Sequence, residues 1–533
     1  VTYTKLALLG AASLFAVASA AQAQGQAAPA DQAADAPVET AETTTDAAAE
    51  IEFLKAQVDS LQAQITQLTN RVGKAEPSWK GAPNWLDKET GWSFKPKGVL
   101  QFDAGYVTLP GSSGTTGGTV GGVNTNNLGW NIRARRLIFG AEGSMPGGFG
   151  YKFELELSQG TVNYEDMVLT WQKSNSPILL TAGYHYPLQS LEQLTSNRFT
   201  SFMERASHVD AFGYGRRLGL SAAYLDPAGK FTLTAGVWGQ DIADNNIPTS
   251  GVSVCATVTA GVCSATTINN PGSNPSLTAN FRRTGWQASV RGTYSPMIGN
   301  VQGHLGFQFQ HRVAQKDVQN VRYRERPFTQ TTDQRFIDTG AIAAEGDDIL
   351  GIELAGIWKS FHVVGEAQKL WVRGYNVAPV FTNVNNSTGG AKVWAEDPSF
   401  LSWYAEVGYF LTGETRGYKG GKWDRTKVLN PVDKGGWGAF QINARVDQTD
   451  LTDKVGTGPI VAGTNFINGG KQTGYQASLI WLPTDYVKFL AQYSRVHVQG
   501  GSAAIAPFTT STAAIQDRSY DADQFGLRAQ LDF

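Results

Sequence analysis

The chain is 533 residues long, with 44 lysines and arginines against 46 aspartates and glutamates, 60 glycines, 11% aromatic and only 17% charged residues. This excludes a disordered chain, and after the first two dozen residues no stretch approaches the roughly 20 consecutive apolar residues of a transmembrane helix. Two cysteines and six scattered histidines show no metal-ligand spacing, and no cofactor or nucleic-acid partner is expected.

In chain order, Lys5 precedes the apolar stretch LALLGAASLFAVASA, and Ala21-Gln22-Ala23 follows it. A basic start, an apolar run too short to span a bilayer and an A-x-A site predict a signal peptide over 1–23. Residues 24–50 are Ala, Gln, Thr and acid without a core-forming pattern, which predicts a disordered linker. Over 51–75, Ile51, Leu54, Val58, Leu61, Ile65, Leu68 and Val72 repeat at alternating spacings of three and four. That unbroken seam predicts a self-associating coiled-coil helix in the periplasm, ended by Gly73 and Pro77. In peptides, β-branched residues at a with Leu at d favour two strands. Residues 76–96 read as a connector.

From residue 97 the period becomes two. In GVLQFDAGYV, Leu100, Phe102, Ala104 and Tyr106 alternate with Val99, Gln101 and Asp103, and in the final QFGLRAQLDF, Phe525, Leu527, Ala529, Leu531 and Phe533 alternate with polar residues. About sixteen such runs occur. Brief turns (MPGGFG, KSNSP, DPAGK, PMIGN, KS, PTD) alternate with long connections, except that the loop between the third and fourth strands is short and residues 412–438 are long on the short-turn side. One face carries Trp171, Tyr184, Tyr224, Trp286, Trp358, Trp403 and Trp481 near strand ends, as an interfacial aromatic girdle does. The other carries Lys, Arg, Gln and acids such as Asp103, Glu154, Glu156, Glu353 and Glu406, which a dry core does not accept unpaired. Lipid cannot hydrogen-bond a sheet edge, so the last strand must pair with the first. The expected fold is all-β: a 16-stranded antiparallel transmembrane β-barrel over 97–533 in the bacterial outer membrane, with an N-terminal coiled-coil helix. Cys255 and Cys263, close together in a Thr/Ala/Gly-rich loop of an exported chain, are expected to form a disulfide.

The stretches NIRARRLIFGAEGSMPGGFGYKFELELS, LTSNRFTSFMERASHVDAFGYGRRLGLSAAY, FTLTAGVWGQD, WYAEVGYFLTGETRGYKGGKW and LNPVDKGGWGAFQINARVDQTDL resemble the phosphate-selective porin O/P family. The resemblance implies a trimeric barrel whose lumen receives the third loop, a later loop and one long periplasmic turn, here 412–438. It also implies a trimeric coiled coil, against the rule for its a and d residues. A pore makes no bonds; its selectivity comes from width and charge. In Arg322-Tyr-Arg324-Glu-Arg326, alternation puts three guanidiniums on one side, suited to oxyanions, and the family has a basic ladder on a lumen-facing loop at about this place. SNRFTSFMER matches the third-loop constriction, which assigns Arg198 the place where the family pattern has Lys, with Ser196, Thr200 and Ser201 as hydroxyl donors. Arg135 and Arg136 match a basic pair that cannot both face the lumen without a bulge. Arg425 and Lys427 would approach from the long turn. Glu204-Arg205 and Arg216-Arg217 read as salt-bridged scaffold.

Residues 1–77 hold 4 basic and 9 acidic residues, leaving 40 and 37 for the remainder, an excess of +3. Anion preference must therefore come from arrangement. The expected function is a passive channel for small anions such as phosphate, with outer-membrane lipid and lipopolysaccharide and two further copies of the chain as partners. A general diffusion porin for small polar solutes is the alternative. A barrel hydrolase is a more distant one, because none of the six histidines lies in a recognisable catalytic motif.

Overall fold

The computed structural model describes residues 43–74, 78–108, 119–120, 123–124, 128–160, 162–239, 252–259, 262–269, 285–314, 320–340, 342–374, 381–383, 397–453, 467–505 and 508–533. The signal peptide and residues 24–42 of the linker lie outside the described residues. The chain divides into two units, Val1–Gly73 and Lys74–Phe533.

In the first unit a single helix, α1, runs Thr43–Lys74. It begins eight residues before the expected coiled coil, because Ala47, Ala48 and Ala49 are strong helix formers, so 43–50 is helix rather than linker. The seam residues Ile51, Leu54, Val58, Leu61 and Ile65 are 50–60% exposed.

In the second unit a hairpin, Ser78–Lys80 with Ala82–Leu86, occupies the connector. Sixteen strands follow: β1 Ser93–Val107, β2 Gly129–Met145, β3 Phe149–Glu156, β4 Asn163–Trp171, β5 Ile178–His185, β6 Arg217–Leu225, β7 Phe231–Trp238, β8 Trp286–Tyr294, β9 Val301–Val313, β10 Ile342–Trp358, β11 Phe361–Gly374, β12 Ser399–Phe410, β13 Ala439–Asp453, β14 Ile467–Thr484, β15 Val487–Gln499 and β16 Ser519–Asp532. Each pairs antiparallel with the next, and β16 pairs with β1 in a register from Gln524↔Val107 to Asp532↔Val99, which closes the barrel. β1 starts four residues earlier than expected.

The alternation decides the two faces. On β16, Phe525 and Leu527 are more than half exposed, whereas Gln524, Arg528, Gln530 and Asp532 are buried inward. Across the seam Arg528 donates to both oxygens of Asp103, at 2.7 Å each. Of the other expected inward acids, Glu353 is held by Arg291, Glu406 by Arg445 and Glu154 by Lys152, whereas Glu156 accepts from the backbone N–H groups of Leu137 and Ser158. Trp286, Trp358 and Tyr224 are exposed on the outer face, but Tyr184 is buried at 5%, so it adds no exposed ring to the girdle.

The lumen is occupied by the segments between β5 and β6, between β9 and β10, and between β12 and β13. The first, the third loop, contains two short helices, α2 Leu191–Leu194 and α3 Ser207–Ala211. Apolar residues of the first two segments meet the long-loop ends of the strands, where the inward face changes from polar to apolar, whereas Leu191 of α2 and Trp423 of the third segment pack with Ile357 and Val364. Phe212, Tyr323, Phe328 and Phe336 from the loops pack with Leu370, Val372, Val496 and Val498 from β11 and β15. This cluster is the main hydrophobic core among the described residues.

Candidate functional site

The third loop is held by its backbone. Lys488 Nζ donates to the carbonyls of Arg198 (2.9 Å) and Thr200 (3.2 Å), Gln530 to Arg198 (3.1 Å) and Arg416 to Phe199 (2.5 Å). Ser478 donates to the carbonyl of Ser201 (2.7 Å), Arg528 to that of Met203 (2.5 Å) and Arg445 to that of Glu204 (3.4 Å). Side chains of β13 to β16 thus pull this stretch against their side of the barrel. The open space, a cavity of about 1050 Å³, is lined instead by β1 to β4, the third loop and the tip of the long turn.

Twelve basic and nine acidic side chains line it. Arg135 and Arg136 both do so, because β2 carries the required bulge: Gln101 pairs with Arg136 and Phe102 with Ala134, leaving Arg135 extra. Their roles differ. Arg135 binds Glu204 through two bonds, at 2.8 and 2.9 Å, so its charge is matched. Arg136 donates to Gln101 (2.7 Å) and has no carboxylate partner among the described residues. Burial opposes ionisation of Glu204, but Arg135, with Arg528 behind it, outweighs burial and holds the carboxyl well below the usual range. Arg198 reaches Glu154 only at 3.5 Å, while Lys152 holds the same carboxylate at 2.8 Å, and Arg198 Nε has no partner.

Some lining cations were missed or misassigned from sequence. Lys95 and Lys97 share the parity of Val99 and Gln101, and extending β1 backward would have found them. Arg205, read as salt-bridged scaffold, instead donates to the carbonyls of Glu192 (3.0 Å) and Thr195 (2.7 Å) and lines the cavity without a carboxylate partner among the described residues. Arg216 does match the scaffold reading, bonded to Glu165 and Asp166. In the long turn, Gly420 and Gly421 have φ of 57° and 75°, which lets a two-residue hairpin set Lys419 opposite Lys422. Arg291 holds this tip through the Gly421 carbonyl (2.8 Å).

The ladder has the expected alternation: Arg322 and Arg324 are exposed, Tyr323 and Glu325 buried, and Arg326 half-buried at the cavity's edge. Arg322 is paired with Asp338; Arg326 has only long contacts, to Asp210 (3.6 Å) and Asp333 (3.9 Å); Arg324 has no acidic partner among the described residues. Burial, reinforced by Asp210, pushes the Glu325 carboxyl well above its usual range, so Glu325 does not compensate the ladder. Burial, then Arg335, lowers both Arg324 and Arg326, which adds Arg335 to this basic group.

Other expected site residues are not brought together here. Thr200 and Ser201 are buried behind the loop, at 4% and 2%, because their carbonyls are drawn to the β14 and β15 side; they do not line the cavity. Ser196 does line it. Arg425 lines it but is fastened to Asp532 and the Asp485 carbonyl, and Lys427 is exposed away from it. The side chains of Cys255 and Cys263 lie outside the described residues.

Two serine–histidine contacts occur among the described residues. Ser190 Oγ lies 3.0 Å from His208 Nε2, but it also caps α2, and both residues are at most 1% exposed. Burial, then Arg445, pushes His208 down to about 3. Ser221 Oγ lies 3.2 Å from His185 Nε2, which also accepts from Trp238, and His185 Nδ1 meets the Gly183 carbonyl rather than a carboxylate.

A family model described as phosphate-selective porin O and P matches residues 118–533. An uncharacterized protein of Caulobacter vibrioides is 32% identical over 459 residues, 86% of this chain and 77% of that protein. Among solved structures, the outer membrane channel DcaP of Acinetobacter baumannii is similar with a TM-score of 0.42 and 13% identity, covering 84% of this chain and 99% of that one. The anion-selective porin from Comamonas acidovorans is similar with a TM-score of 0.40 and 9% identity, covering 83% and 100%.

Proposed function

The chain belongs to the phosphate-selective porin O and P family, a family of outer-membrane channels, and on that premise we propose that it passes small solutes passively with a preference for phosphate-like oxyanions. One observation carries this reading. Six of the nine acids that line the cavity are salt-bridged to bases, while Arg136, Arg205, Lys419 and Lys422 line it with no carboxylate partner among the described residues. Fixed cations in a narrow, partly desolvated passage act at lower effective dielectric than surface charge and are less screened by salt. The ladder gathers anions at the long-loop side; Arg198 and Arg136 meet them further in. A homotrimer, with α1 as its periplasmic trimerisation element, completes the proposal.

The test is the reversal potential across a planar bilayer under a salt gradient, with phosphate block of the chloride current as second readout. Anion selectivity with block is expected. A cation-selective channel would overturn the reading; anion selectivity without block would keep the channel and discard phosphate.

A further inference from the structure

The hairpin at the tip of the long turn has two faces. Tyr418 pairs with Trp423 and Lys419 with Lys422, and adjacent side chains alternate, so the two aromatic rings share one face and the two lysines the other. The lysines are exposed and line the cavity. The aromatic face meets the wall. Tyr418 Oη lies 2.6 Å from both Ser295 Oγ and His304 Nδ1. Arg291, which holds the Gly421 carbonyl, is bonded like His304 to Glu353 of β10. Trp423 lies deeper, 2% exposed, edge-on to Tyr418 and to His362 of β11, with ring centroids 5.8 and 5.7 Å away. It packs on two sides: Ile357 and Val364 belong to β10 and β11, whereas Leu191 and Ala206 belong to the third loop. Its backbone N–H donates to Thr195 Oγ1 at 3.2 Å, and Thr195 is itself buried.

We propose that Trp423 is a positioning residue for the passage: set between the wall and the third loop, it fixes residues 194–197 at the edge of the cavity and couples their place to that of Lys419 and Lys422. The proposal rests on the channel reading above. The third loop is held unevenly. Side chains of β13 to β16 grip the carbonyls of residues 198–201, 203 and 204. Residues 194–197 line the cavity, and among the described residues two hydrogen bonds reach them from outside the loop: that of Trp423 to Thr195, and one from Gln101 to the Asn197 carbonyl at 3.3 Å. The wall bonds of Tyr418 and Gly421 fix the hairpin, and Trp423 passes that position on to the loop. An indole fills the gap between wall and loop, so truncating it costs more than one hydrogen bond.

The test is hydrogen–deuterium exchange, read by mass spectrometry on the detergent-solubilised full chain, beside reversal potentials in a planar bilayer. Trp423→Ala should speed amide exchange over residues 191–197 about tenfold, while residues 198–204 exchange as in wild type. Thr195→Val, which removes only the acceptor of the Trp423 N–H, should speed the same amides about threefold. Trp423→Phe keeps a ring in the gap and should restore most of the protection. Trp423→Ala should also shift the reversal potential. Lys422→Gln should shift it without altering exchange, which separates loss of a charge from loss of position. Unchanged exchange over 191–197 in both Trp423→Ala and Thr195→Val, equally faster exchange over 198–204, or faster exchange with a wild-type reversal potential would overturn the proposal. A wild type without anion selectivity would overturn the preference proposed above and leave this one to the exchange result, which is read without ion flow.

Discussion

Glu204→Gln should make the channel more anion-selective. Among the described residues Glu204 is the only acidic one that pairs with Arg135, at 2.8 and 2.9 Å, and it also touches Arg528 at 3.2 Å. Arg528 keeps Asp103, but Arg135 is left without a carboxylate, and the cavity loses one of its nine acids. A unit charge 4 Å from a passing ion is worth ~1 kcal/mol in bulk water and ~4 kcal/mol at a protein surface. Even the lower value raises anion permeability and lowers cation permeability about fivefold each, since ~1.4 kcal/mol is tenfold. The assay is the reversal potential under a potassium chloride gradient, with Glu204→Asp as the charge-conserving control. Protonation should mimic the substitution. Because the folded carboxyl is held below its ordinary value, the Arg135–Glu204 link is fully present above the ordinary glutamate range and is lost only as pH falls through the depressed value. Selectivity should therefore stay constant from pH 7 to about 5 and rise only in stronger acid. A shift of Glu204→Gln toward cations, or no shift, would refute the assignment of Arg135 as a matched charge.

Arg198→Glu should lower anion permeability more than Arg324→Ala, which should mainly slow anion uptake because Arg324 stands earlier on the path; equal effects on the reversal potential would contradict that order. Deleting residues 51–72 should weaken trimer assembly or heat resistance while a barrel still forms. Unchanged trimers after deletion, together with a 51–75 peptide that sediments as a dimer, would reject the trimerisation role. Labelling of the unreduced, denatured protein should find no reactive thiol if Cys255 and Cys263 are bonded; such a link would stabilise by about 2–3 kcal/mol at most, local to its loop.

The strands were legible because each exposes one face to lipid, so period two persists along the strand, for fourteen residues in β16. Arg135 and Arg136 carried their own geometric requirement, and the bulge supplies it. The apolar plug was less legible. Leu370 and Val372 fall on the inward parity of β11, but parity gives direction, not what fills the space, and only folded loops make an inward apolar residue favourable. Thr200 and Ser201 show the same limit within a loop. Without a ladder of hydrogen bonds no period assigns a side, and here the carbonyls of residues 200 and 201 take both residues to the wall. Lys419 and Lys422 were overlooked because charge in a turn reads as solvated, although paired glycines between two lysines already describe a hairpin tip.

That grip on the carbonyls of residues 198–201, 203 and 204 bears on how such a protein can change over evolutionary time. A carbonyl belongs to every residue type. Lys488, Arg416 and Ser478 therefore hold the third loop without specifying its side chains, whereas Arg528 and Arg445 also bind the carboxylates of Glu204 and Glu192. Position 198 can exchange one head for another, or 205 lose its charge, while every one of these anchoring bonds stays available. The cost of trying a new selectivity is confined to the passage, and the barrel acts as a socket for interchangeable filters: lineages can drift between solutes through a few loop codons without renegotiating the strands.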